Sequence, residues 1–108
     1  MSLKETTTFG HAISMARKGK GWALKDLASR VLREDGNAIS LQYLNDIEHD
    51  RRSPTSDHLI RQFATLLSVD EGFLFVLAGK IPDEMRRNAT DQQTIVEAFA
   101  NFRRTLKG

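Results

Sequence analysis

The residues best equipped for chemistry are Ser40-Leu41-Gln42-Tyr43-Leu44-Asn45-Asp46-Ile47-Glu48, preceded by Ile39 and followed by Arg51-Arg52-Ser53-Pro54. Ser40 suits the capping position of a short helix, because its hydroxyl accepts from a first-turn N–H that has no intrahelical partner. With that start, Leu44 and Ile47 face inward, and Gln42, Tyr43, Asn45, Asp46 and His49 are left on the outer face. Amide side chains donate and accept at once, which is what the edges of base pairs require, and arginines beside them grip phosphate. An anchored helix carrying these groups has the means to read a DNA major groove.

Other residue clusters point to no competing chemistry. His11, His49 and His58 share no metal-ligand spacing, so no metal is expected. Glu34-Asp35 and Asp83-Glu84 are adjacent pairs suited to turns or helix caps, and Gly19-Lys20-Gly21 lacks the full phosphate-loop pattern. Asn88-Ala89-Thr90 matches a glycosylation acceptor but has no secretory signal to accompany it. The absence of cysteine removes disulfides and thiolate chemistry and fits a cytoplasmic location. No nucleophile, metal cluster or carboxylate pair stands in a plausible site, so the chain reads as a non-enzyme without a cofactor.

What must position the outer face is a small helical domain. At 108 residues there is room for one core. The net charge of +2 is too small to argue for nucleic acid from bulk electrostatics, so the placement of charges must carry that argument. No apolar run approaches a membrane span, and no signal peptide is expected. Residues 1–7 read as a disordered lead-in, 8–80 as the DNA-binding domain, and 81–108 as a helical tail for dimerisation or packing.

Helical spacing of Phe9, Ala12, Ile13 and Ala16 predicts a first helix over 8–18, closed by Gly19-Lys20-Gly21. A second begins at Trp22, with Leu24, Leu27, Ala28 and Val31 or Leu32 buried. Ser40 starts the third. Pro54 fits the edge of a fourth, capped by Thr55 or Ser56, whose apolar residues (Leu59, Ile60, Phe63, Ala64, Leu66, Leu67) make it the most buried. Asp70-Glu71 caps a fifth segment over 72–78, in which Phe73-Leu74-Phe75-Val76-Leu77 by period alone is equally strand or helix; the surrounding helices and the Asp-Glu start favour helix. After Gly79-Lys80-Ile81-Pro82 come a short helical turn and a last helix over 91–106. Trp22 and Phe73 to Phe75 read as core. The expected class is all-α: five helices plus a C-terminal helix.

The order and spacing of Phe9-Gly10, Ile13, Ala16-Arg17, Leu27-Ala28, Ile39-Ser40, Tyr43-Leu44, Ile47-Glu48, Arg51-Arg52-Ser53-Pro54, Leu66 and Val69-Asp70-Glu71 resemble the Cro/phage-repressor (xenobiotic-response-element) helix-turn-helix family. The match spans residues 9–77. The resemblance implies that Arg17 and Glu48 pair, bracing the first helix against the recognition helix. It implies that Ser40 caps that helix and holds a phosphate. Leu41, Gln42 and Asp46 match base-facing positions: Gln42 suits the N6/N7 edge of adenine, Leu41 a thymine methyl, Asp46 a cytosine N4. Tyr43, Asn45, Arg51, Arg52 and Ser53 match surfaces that contact base edges or backbone, and Lys25 and His49 join the backbone-contact set.

Two departures from the family pattern stand out. Related domains usually join the second and third helices by a turn of about four residues, whereas Val31 and Ile39 here enclose a longer insert, residues 32–38. The expected consequence is a second helix running on through Arg33 before looping over Gly36-Asn37, with Arg30 or Arg33 available to phosphate. Leu24 occupies a position where the family often has a phosphate-binding glutamine, leaving Lys25 or Lys20 to replace that contact.

The resemblance implies a dimeric repressor on double-stranded DNA, its recognition helices about one turn, ~34 Å, apart. The stripe Ile95, Phe99, Phe102, Leu106 either folds back on the fifth helix or forms the dimer interface. The alternative function is an antitoxin-like or other protein-interaction module, in which this stripe holds a small protein partner and DNA binding is secondary or absent.

Overall fold

Thr8 opens the first helix in extended conformation, its hydroxyl accepting from His11 N–H at 3.0 Å. The computed structural model describes residues 7–54, 56–88 and 91–107. Among them the chain is all-helical: α1 (Phe9–Gly19), α2 (Leu24–Ala28), α3 (Leu41–Glu48), α4 (Asp57–Leu67), α5 (Glu71–Ala78), α6 (Asp83–Asn88) and α7 (Gln92–Lys107). The lead-in expected over 1–7 lies outside the described residues except for Thr7. So do Thr55, the alternative cap of α4, and Ala89-Thr90 of the acceptor motif.

α4 is the expected centre. Ile60 and Phe63 are fully buried, and Phe63 meets Phe9 of α1 edge to face at 5.9 Å. Ser56 caps it, its hydroxyl accepting from Leu59 N–H. α1 and α5 pack against it and α3 packs on α1 and α2, contributing Ile13, Leu74, Leu44 and Ile47, each with no exposed surface. The ambiguous apolar run resolves as helix α5: the Asp70 carboxylate accepts from Phe73 N–H at 2.9 Å, and Gly79 closes the helix at φ +69°. Phe73 departs from the expectation of core, since it points outward with 38% exposure.

The link between α2 and α3 corrects the sequence reading. α2 starts at Leu24, not Trp22, and ends at Ala28 instead of continuing through Arg33. Residues 31–39 form a small hairpin. Leu32 bridges Ala38, Arg33 N–H bonds to Asn37 O at 2.8 Å, and Ile39 N–H bonds to Val31 O at 3.0 Å. Gly36 turns it at φ +88°, a conformation glycine adopts without steric cost. Side chains of α4 compete successfully for the backbone that a longer α2 would need. Leu32 N–H bonds to Gln62 Oε1 at 3.1 Å, and the Leu32 carbonyl lies 2.9 Å from His58 Nε2. Val31 and Ile39 are buried on either side of the exposed Leu32.

Beyond α5 the expected short helical turn is α6 and the expected last helix is α7. α6 is tied back by Asp57, whose carboxylate accepts from Asp83 N–H at 2.8 Å and pairs with Lys80 at 2.9 Å. α7 has no buried residue: Ile95, Phe99, Phe102 and Leu106 are 45%, 52%, 44% and 69% exposed. A groove of about 690 Å³, lined by Phe75, Val76, Ile81, Met85, Phe99 and Phe102 among others, separates it from α5. No described helix is long and apolar enough to cross a membrane.

Candidate nucleic-acid interface

α3 starts as its sequence requires, with Ser40 Oγ accepting from Tyr43 N–H at 3.0 Å. Tyr43, Leu44, Ile47 and Glu48 form the buried side. Leu41, Gln42 and His49 are exposed, and Asn45 and Asp46 are half-buried, so these five share the outward face. Tyr43 does not join them. It is 6% exposed and its hydroxyl is covered, which corrects the expectation that it stands on the outer face for base contact. The reason is helical geometry: position 43 lies one turn before Ile47 and inherits its inward direction.

Two structural ties hold the orientation of α3. Arg17 Nε and Nη2 donate to Glu48 Oε2 and Oε1 at 2.7 and 2.9 Å, while Nη1 donates to the Trp22 carbonyl at 2.8 Å. The hydrogen-bonded Glu48 carboxylate holds the Arg17 guanidinium above its ordinary pKa. The second tie was not anticipated. Asp50, at φ 60° just past α3, accepts from Gly10 N–H at 3.0 Å and from the Thr8 hydroxyl at 2.6 Å. Only glycine fits at position 10, since a Cβ there would collide with the Ile47 carbonyl and stand 2.7 Å from that of Glu48. An aspartate two residues beyond a helix is a sequence signal for the left-handed closing position, though not for the distant N-terminus it caps.

The polar face is preorganised by its own contacts. Asp46 Oδ1 accepts from Gln42 Nε2 at 3.0 Å and from Arg51 Nε at 3.1 Å. This fixes the Gln42 amide and offsets the carboxylate charge that would otherwise repel phosphate. The Arg51 and Arg52 N–H groups both bond to the Asp46 carbonyl, wrapping the basic turn against the end of the helix. His49 Nδ1 lies 2.8 Å from the Asn45 carbonyl. Ser53 is exposed near Arg52, and Lys25 is exposed on α2.

Cations border this face. The Arg33 and Arg52 guanidiniums lie 5.4 and 5.6 Å from the Tyr43 ring centre, and Lys20 and Arg30 lie 5.6 and 4.7 Å from that of Trp22. Trp22 is therefore half-buried with a cation-bearing surface, where the sequence read it as plain core. Leu24 packs against the core, so it offers no polar substitute for the family's glutamine.

No family model, curated protein or solved structure matches this chain.

Proposed function

We propose that this chain is a sequence-specific, dimeric DNA-binding regulator of the Cro/phage-repressor helix-turn-helix type, acting as a repressor at an inverted repeat. The observation that carries this reading is the outward face of α3. Leu41, Gln42, Asn45, Asp46 and His49 lie on one side of a helix whose other side is locked into the core and clasped by Arg17. In the major groove, Gln42 would read a base edge and Leu41 a thymine methyl, while Ser40, Arg51, Arg52 and Ser53 would hold phosphates. Dimerisation would use the stripe of α7, none of whose residues is buried by the described residues.

Selection of bound duplexes from a randomised DNA pool tests the proposal. Enrichment of an inverted repeat with half-sites about 10 base pairs apart is expected. Recovery of no motif would overturn it.

The exposed apolar α7 also favours a second reading, a protein-interaction module of antitoxin type whose last helix holds a small partner. Under that reading the purified protein enriches no DNA motif. It binds its partner through α7, and Phe99→Asp with Phe102→Asp abolishes the pairing.

A further inference from the structure

We infer that the connector between α2 and α3 is a second DNA-contacting element, with Arg33 of its hairpin and Arg30 just before it acting as phosphate-gripping residues on the two borders of the recognition face. This inference rests on the DNA-binding reading above.

The hairpin is braced, not loose. Its own Arg33–Asn37 and Ile39–Val31 hydrogen bonds close the ladder, and Gln62 and His58 of α4 hold Leu32 from behind. Arginines on such a segment keep a fixed direction relative to α3, which the same core positions.

Each arginine lies over an aromatic ring. Tyr43 carries Arg33 from the hairpin and Arg52 from the turn after α3, both guanidiniums within 5.6 Å of one ring centre. A cation–ring contact occupies no N–H donor with a carboxylate, so the planar guanidinium fork stays available to meet phosphate oxygens two at a time. Neither Arg33 nor Arg52 has a carboxylate partner among the described ion pairs. Asp35, which feels the charge of Arg33, directs its carboxylate to Asn37 N–H at 2.9 Å. Two like charges on one ring repel, and an anion between them removes that repulsion.

The placement fits the groove. Around α3, Tyr43 follows Asp46 on one border of the outward face, and Glu48 adjoins Leu41 on the other. Arg33 and Arg52 thus border the first side. On the second, Arg17 ties the Trp22 carbonyl to Glu48, and the Trp22 ring carries Arg30 and Lys20. A helix about 10 Å across in a groove about 12 Å wide brings its borders against the phosphates of the two strands. The same phosphodiester chemistry occurs at every sequence, so these contacts add affinity and register without base preference.

The test is fluorescence anisotropy of a labelled random-sequence duplex across a potassium chloride series, with the full chain and with Arg33→Gln, Arg33→Lys and Arg30→Gln. Each neutral variant is expected to lower the slope of log affinity against log salt by about 0.9, the value for one phosphate contact, while Arg33→Lys restores it. Circular dichroism should give an unchanged helix content for all variants. Unchanged affinity and slope in both neutral variants, with the wild type binding normally, would overturn the inference alone. Equal weakening by Arg33→Gln and Arg33→Lys at an unchanged slope would do the same by assigning Arg33 to packing. Absence of salt-dependent binding by the wild type would instead overturn the DNA-binding reading and the inference with it.

Discussion

Arg17 of α1 and Glu48 of α3 clasp each other through two parallel hydrogen bonds, with only 11% and 4% of their side-chain surfaces exposed. Removing either partner leaves the other charge buried, so Glu48→Ala should cost about 3 kcal/mol in stability. Arg17→Lys keeps the charge but lacks the planar fork and should recover only part of that loss. Urea unfolding of both Ala variants and the double variant checks this. The double variant should be less destabilised than the two single losses taken together.

Gly10→Ala should destabilise the protein by about 1–3 kcal/mol, as overpacking does, because the new methyl meets the backbone of α3 and not a movable side chain. Its thermal midpoint should fall by several degrees. An unchanged midpoint would mean that α1 and α3 can separate at no cost.

Asp46→Asn removes the carboxylate shared by Gln42 and Arg51 and frees the arginine for phosphate. Affinity for random-sequence duplex should rise, and the salt dependence should steepen. Gln42→Ala, by contrast, should relax preference at one base position of the selected site and leave the salt slope unchanged. Binding measured on matched and singly altered duplexes separates the two effects.

The Asp83 N–H and the Lys80 ammonium hold the Asp57 carboxyl below its ordinary pKa. A group depressed in the folded state stabilises it above the unfolded value, about pH 4, and that contribution is lost as the pH falls toward the folded value. Acid should therefore loosen the tie between α4 and α6. Thermal unfolding from neutral pH downward should show a shallower acid decline for Asp57→Asn than for the wild type.

Phe99→Asp combined with Phe102→Asp should convert a dimer to a monomer in sedimentation analysis. Helix content and core stability should be unchanged, because neither ring is buried within the chain. A wild type that is already monomeric would remove α7 as the dimer surface.

Much of the helical framework was legible from local patterns. Ser40, Ser56 and Asp70 cap the helices they were expected to cap, since a cap needs only its own first turn. The inward direction of Leu44 and Ile47 followed from spacing alone, and so did the central position of α4. The outward placement of Gln42 and His49 came from the same 3.6-residue period, read on its other side, while that of Leu41 was implied by the resemblance.

The rest depended on partners far along the chain. α2 stops at Ala28 because Gln62 and His58, on a helix that follows much later, take the backbone groups of Leu32; nothing local announces this. The cations that cover Tyr43, Arg33 from the hairpin and Arg52 from the turn after α3, come from segments that meet only on folding. Asp50 reaches back to Gly10 and Thr8 across α1 and α3 for the same kind of reason. By itself, the sequence determined the helical class, the caps of α3, α4 and α5 and the apolar stripes of α1 and α4, because those follow from short-range sterics and period. Only the tertiary structure decided which charges border the face of α3 and how the connector before it is shaped, because long-range hydrogen bonds and cation–ring contacts exist only once the chain has folded.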